Sequence, residues 1–355
     1  MRHHIVTLLL LLSILSLHAQ EAETDSPLSA APRRWGQIDL SLTTGTSGIG
    51  FDVAVPLNDV LSLRGGYAIM PHVTHSMHFG VDVGDDPTKS QSKFERLAGL
   101  LDDMTGNKVD NVVEMLGKPT YWNWKLLVDV RPLRNKHWHM TAGIYFGNKQ
   151  VAEAVNSIND MPSLMAVNIY NNMYEKAQRD EPFVRVNNTD IYMPSELAAK
   201  LTDYGRMSIH IGDYKHDVLY DEDVVATVPT IIGDDYYDPG DVIHKAGDVK
   251  YKKGDAYRLI PDEQSMVRAY AYANRWKPYV GFGYGGRLLK SDARWQVSVD
   301  AGAMFWGGTP QVVTHDGTDL VNDVENVRGR VGDYVNIIKI FKVFPVLNLR
   351  ITRQL

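Results

Sequence analysis

The sequence predicts an all-β chain, an antiparallel transmembrane barrel of eight strands with one large insertion and minor helices in its loops. Three observations carry this. Stretches of about ten residues alternate strictly between an apolar and a mixed face, as barrel strands between lipid and lumen do. After a tight first turn at Gly45–Gly48, the connections between them are alternately short and long. Finally, an apolar N-terminal stretch reads as a secretion signal, and nothing after it is long and apolar enough to cross a membrane as a helix.

In Met1–Ala19, Arg2 supplies positive charge, Ile5–Leu17 forms the apolar core, and Leu17-His18-Ala19 precedes Gln20 as a cleavage site. The core falls short of the ~20 residues a spanning helix needs. Residues 20–34 are polar, with Pro27 and Pro32, and read as a disordered periplasmic lead-in. The barrel is assigned to 35–355, with 148–266 as an extracellular insertion.

Trp35–Thr43 places Ile38, Leu40 and Leu42 against Gln37, Asp39, Ser41 and Thr43. Gly45-Thr46-Ser47-Gly48 is a tight turn. Ile49–Leu57 sets Phe51, Val53 and Val55 opposite Gly50, Asp52 and Ala54, and Asn58-Asp59 turns the chain again. Leu61–Met70 follows, with Arg64 on its polar face. The excursion from Pro71 to Thr120 shows helical spacing at Lys93–Met104 and Val109–Leu116. Tyr121–Arg131 sets Trp122, Trp124, Leu126 and Val128 against Lys125, Asp129 and Arg131. Trp138–Phe146 sets Met140 and Ile144 against His139 and Thr141. After the insertion come Pro278–Tyr284, entered from Val267, then Trp295–Trp306 and Val343–Thr352. Residues 314–333 are polar, with helical spacing at Leu320, Val324 and Val327. An even strand number is the rule for single-chain bacterial barrels.

A net charge of −6 excludes a general nucleic-acid binder, which needs a basic face. The absence of cysteine excludes disulfides, thiolate metal sites and cysteine nucleophiles.

Lys277-Pro278-Tyr279-Val280-Gly281-Phe282-Gly283-Tyr284, Trp295–Pro310 and Phe344-Pro345-Val346-Leu347-Asn348-Leu349 together resemble a family of Gram-negative, Bacteroidota-like outer membrane β-barrel proteins of unassigned function. The family's corresponding segments read PYLGLGWG, DLGVLFQGSP and YPVVSLGISYRF. Gly48-Ile49-Gly50, Leu61–Gly66 and Ile191–Leu197 are similar to its N-terminal strands and a loop segment. The resemblance implies residence in the outer membrane, with membrane lipids and the barrel-assembly machinery as partners. Two departures stand out. The family ends in Phe, the usual assembly signal, whereas this chain ends Arg353-Gln354-Leu355, and Lys215–Asp262 exceeds the family's loop.

Asp39, Asp52, Arg64, Lys125, Asp129, Arg131, Asp300 and Arg350 fall on inward faces. A barrel of about eight strands is just wide enough for side chains to fill, so these charges are expected to pair and plug the lumen. A narrow solute path lined by the same charges is the alternative. Trp122, Trp124, Trp138, Trp276, Trp295 and Tyr279 are expected at the membrane interfaces.

His72, His75 and His78 recur every third residue, a spacing that suits one face of a turn or short helix and a transition metal. No carboxylate or thiolate accompanies them at motif spacing, so a solvated loop ranks first. Asp234, Asp235, Asp238 and Asp241 around Pro239-Gly240 offer the hard oxygens calcium takes, without the twelve-residue loop and closing Glu. An acidic surface loop ranks ahead of calcium, and no other cofactor is indicated.

His139, His315 and Ser298 can be written as a triad, but triads are defined by geometry. The functional readings rank as a structural or surface-interaction barrel, a small-solute channel, and a lipid-modifying enzyme. The insertion is expected to be partly ordered, with short hairpins at 183–193, 224–232 and 251–260 and a helical turn at Ser195–Leu201. A surface ligand is the partner that its Tyr and Asp content suits.

Overall fold

The computed structural model describes residues 37–133, 137–187, 189–227, 230–232, 235–289, 291–340 and 342–355. The signal and lead-in expected over 1–34 lie outside them. Asp39–Gly45, Gly48–Pro56, Leu61–Ile69, Trp122–Val130, Trp138–Gly147, Trp276–Arg287, Trp295–Phe305 and Val343–Gln354 form a closed antiparallel barrel of eight strands in sequence order. The first strand closes on the eighth, with Asp39 opposite Gln354 and Gly45 opposite Asn348.

Burial follows the sequence alternation. In Gly48–Pro56, every second residue from Gly48 is buried and those between are exposed. The outer face is apolar around the circumference: Leu42, Ile49, Phe51, Trp124, Leu126, Met140, Val280 and Phe282 are all exposed. A water-soluble monomer does not carry an apolar belt of that extent.

The short hairpins 56–61, 130–138 and 287–295 lie at one end of the barrel. At the other, the tight Gly45–Gly48 turn accompanies three long connections. Gly48 sits at φ +99°, in the region that favours glycine.

All three long connections contribute to one folded cap, so ordered structure is not confined to 148–266. A five-stranded sheet runs in the order Gln311–Thr314, Arg268–Tyr272, Gln150–Asn156, Val112–Pro119, His75–Gly80. A second sheet joins Ala256–Leu259, Met207–Tyr214 and Val324–Glu325, with Asp82–Val83 added at Met207. Helices Pro87–Thr105, Met161–Gln178, Ser195–Tyr204 and Gly329–Ile340 pack around them. Their common core includes Val83, Phe94, Leu101, Val113, Leu164, Val167, Tyr170, Met207, Ile209, Tyr257, Leu259, Val324 and Val335.

Several local expectations are corrected. Val109–Leu116, expected as helix, contributes to the strand Val112–Pro119. There Val113 and Met115 face the core at period two, and a short apolar run fits either period. Arg268–Tyr272 does not run on into the sixth barrel strand but is a separate cap strand paired on both sides. Helical spacing at Leu320, Val324 and Val327 is not realised, and the helix starts only at Gly329. The helix Pro87–Thr105 begins earlier than its periodicity indicated, capped by Asp86, whose carboxylate accepts from the Thr88 amide. A hairpin does form at Val184–Val186 with Thr189–Ile191.

The hairpin expected at 251–260 is instead part of a longer ribbon. Val218–Leu219 pairs with Val249–Tyr251, Val224–Val225 with Val242–His244, and Thr230–Ile232 with Asp235–Tyr237. The returning chain carries Gly240-Asp241, Gly247-Asp248 and Gly254-Asp255, a repeat of seven residues. At each, the Asp carboxylate accepts from the main-chain amide three residues earlier, at Asp238, Lys245 and Lys252, all at 2.8 Å. The three glycines have φ between +88° and +105°. The outgoing chain answers every six residues, as Tyr214, Tyr220 and Ala226 carbonyls accept from the Gly254, Gly247 and Gly240 amides.

Candidate functional site

The lumen is the first candidate. Asp39, Asp52, Arg64, Lys125, Asp129, Arg131, Asp300 and Arg350 are all buried. Six of them form one network with three carboxylates and three cations. Arg64 Nη2 donates to Asp129 Oδ1 at 2.8 Å and Nη1 lies 3.5 Å from Asp52 Oδ2. Lys125 Nζ lies 2.6 Å from Asp52 Oδ1. Arg350 Nε lies 3.1 Å from Asp300 Oδ2, and Nη1 3.5 Å from Asp129 Oδ2. Thr141 donates its hydroxyl to Asp129 at 2.6 Å. Buried charges need this pairing, because an unpaired ion in a low-dielectric interior costs several kcal/mol.

Toward the cap, Tyr145 and Tyr279 stack edge to face with centroids 5.4 Å apart and pack with Leu127, Met304 and Val346. Gly281 and Gly302 leave the space the Tyr279 ring occupies, since a Cβ at either would meet its hydroxyl. Lys277, fully buried nearer the cap, donates to Asn123 Oδ1 at 3.0 Å.

Tyr279 is therefore a lumen residue and not an interfacial one. In 278–284, Tyr279 shares its phase with Gly281 and Gly283, opposite Val280, Phe282 and Tyr284, so alternation points it inward and only its aromatic character suggests the interface. Trp122 and Trp276 sit on the outer face at the cap end, with Trp124 one pair further in. Trp138 and Trp295 mark the opposite end, where the Arg353 guanidinium lies over the Trp295 ring at 5.3 Å. Two aromatic levels result, one at each end of the wall.

The triad does not assemble. His139 Nε2 donates to Asp300 Oδ1 at 2.6 Å, but the Ser298 hydroxyl accepts from Arg350 Nε at 3.0 Å. His315 is in the cap, where Nε2 donates to the Ile260 carbonyl at 2.9 Å.

The histidine set is also dispersed. His75 and His78 belong to the strand His75–Gly80, and odd spacing puts them on opposite faces. His75 meets Tyr334 edge to face with ring centroids 5.8 Å apart, and His72 lies outside that strand, exposed. Of the acidic set, Asp234 is outside the described residues, Asp235 opens the strand Asp235–Tyr237, and Asp241 caps the Asp238 amide. Among the described residues no group of three or more His, Asp or Glu is arranged to hold a metal.

The second candidate was not legible in the sequence. Between the two cap sheets lies a cavity of about 330 Å³. One wall is the five-stranded sheet, where Gly117, Ala154 and Ala269 form one cross-strand row and Pro119, Ala152 and Ala271 the next. The other walls are Ile209, Ile211 and Leu259 from the second sheet, and Val331, Tyr334, Val335 and Ile338 from the helix Gly329–Ile340. Small residues in the sheet hollow out the space and branched residues opposite line it. The one available signal was the period-two spacing of Ala152 with Ala154 and Ala269 with Ala271.

No protein-family model matches the chain, and no curated protein matches it. Several solved structures match the chain. Acinetobacter baumannii CarO2 is 12% identical over 91% of this chain and 100% of its own, with a TM-score of 0.35. Acinetobacter baumannii CarO is 14% identical over 89% and 96%, with a TM-score of 0.33. A major outer membrane protein from Thermus thermophilus is 11% identical over 90% and 98%, with a TM-score of 0.24. Scores at this level leave the role of this chain to its own residues.

Proposed function

We propose that the chain is an outer membrane protein whose barrel is a closed anchor and whose cap is the working surface, in a structural or surface-interaction role. The apolar wall with an aromatic level at each end supports residence in a bilayer, where a closed barrel leaves no strand edge unpaired. The observation that carries the closed reading is the lumen itself. Three carboxylates and three cations neutralise one another across it, and the Tyr145–Tyr279 layer sits above them. A conducting barrel of this class needs more strands to leave an aqueous channel.

The test is conductance of the purified full-length chain in planar bilayers. The expected outcome is no discrete steps, both for the native chain and after removal of residues 215–255. Regular single-channel steps in the native chain would overturn the closed reading and favour solute transport.

A further inference from the structure

We propose that the cap cavity is a binding site for one lipid acyl chain, drawn from the leaflet around the barrel rim. This rests on the reading of the barrel as membrane-embedded.

The lining specifies the chemistry. The side chains lining the cavity are mostly apolar, with Met77, Met115, the small-residue rows, Ile209, Leu259 and the helix face Val331, Val335 and Ile338. His75 and Thr314 share the face of Gly117 and Ala269, His75 against Tyr334 and the Thr314 hydroxyl bonded to Tyr257. None of the buried side-chain polar atoms that lack a hydrogen bond belongs to the residues lining the cavity. A polar or charged ligand would lose its water there with few partners to replace it. An apolar cavity of roughly 150 Å³ already stays dry and accepts a small hydrocarbon. This one is about 330 Å³, within the range of ligand sites.

Position specifies the source. Val73 lies four residues beyond the third barrel strand, which ends at Ile69, and Pro119 three before the fourth, which starts at Trp122. Ala152, Ala271 and Ile338 each lie five residues from a barrel strand. At ~3.3–3.6 Å per residue, the lining begins within ~18 Å of the rim. The helix Gly329–Ile340 forms the remaining wall and leads directly to the eighth barrel strand. Its outer side shows Ile337 and Ile340, the latter 79% exposed, where the chain descends to the rim. An apolar wall that continues from the cavity toward lipid suits a chain arriving from the membrane better than capture from water.

The experiment places the full-length protein in nanodiscs of phosphatidylcholine bearing a diazirine at the end of one acyl chain. Irradiation and peptide mapping locate the adducts. The proposal expects adducts on the barrel wall, near Val53, Leu126 and Phe282, and also in the cavity, near Met77, Met115 and Ile338. Ala154→Phe and Ala271→Phe fill the cavity, and each should abolish cavity adducts while leaving wall adducts unchanged. Resistance of the cap to trypsin checks that each variant is folded, and the native map stands without them. Wall adducts alone in the native protein would overturn the site. Persistence of cavity adducts in a folded filled variant would also overturn it. Labelling of the cavity by free diazirine fatty acid in amphipol, but not by the bilayer lipid, would overturn the lipid source. Absence of wall adducts would instead mark failure of the membrane reading itself.

Discussion

Arg64 is the residue on which the lumen network turns, because its guanidinium reaches both Asp129 and Asp52. Arg64→Met should destabilise the barrel by ~3–5 kcal/mol, the cost of leaving buried carboxylates short of a cation. Urea unfolding in lipid, followed by tryptophan fluorescence, measures it. On the outer face, Leu349→Arg should cost ~2–4 kcal/mol if Leu349 lies near mid-bilayer. An unchanged unfolding midpoint for that variant would contradict the register. The cap offers a pH readout. Burial pushes the Tyr170, Tyr214 and Tyr257 hydroxyls well above their ordinary value near 10. An unfolded chain releases these protons at about pH 10 while the folded cap holds them. Their contribution is therefore complete below about pH 10 and is lost as pH rises above it. Trypsin should cut the cap increasingly above that pH and not between pH 7 and 9. At this scale the inward charges were legible, because a charge on a strictly alternating strand has one place to go. Tyr279 and Lys277 were less plain, since the guide to their phase is only the pair Gly281 and Gly283 opposite Val280 and Phe282.

At the scale of elements, the barrel strands were readable and the cap strands were not. A barrel strand is long and pairs with its sequence neighbour. A cap strand such as Val112–Pro119 pairs with Gln150–Asn156 and His75–Gly80, and only those partners make it a strand. The cavity was hidden for the same reason, since Gly117, Ala154 and Ala269 meet only through pairing. The Gly-Asp repeat was present in the sequence at a period of seven, but each copy alone looks like an ordinary acidic turn. Its glycines carry the ribbon's geometry. A Cβ at Gly247 meets nothing within 4 Å, so Gly247→Val tests the backbone alone. With φ at +91°, the substitution should cost ~1–2 kcal/mol locally. Hydrogen exchange should rise at the Tyr220 and Gly247 amides and stay unchanged in the barrel. Equal exchange with the native chain would mean the ribbon does not depend on the repeat.

At the scale of the whole molecule, the proposed function divides the work between barrel and cap. The barrel hydrogen-bonds its own edges, turns apolar residues outward and fills its lumen with paired charge, which is what the proposed closed anchor in lipid requires. The cap gathers three connections over one core and lines a partly open apolar space close to the rim. This division requires the cap to lie outside the cell and the three short hairpins inside. Protease treatment of intact cells tests that most directly, with fragments identified by mass. Cleavage is expected in the exposed ribbon between Lys215 and Asp255, with the Asn58-Asp59 hairpin intact until the membrane is breached. Cleavage at Asn58-Asp59 in intact cells, with the ribbon untouched, would contradict it.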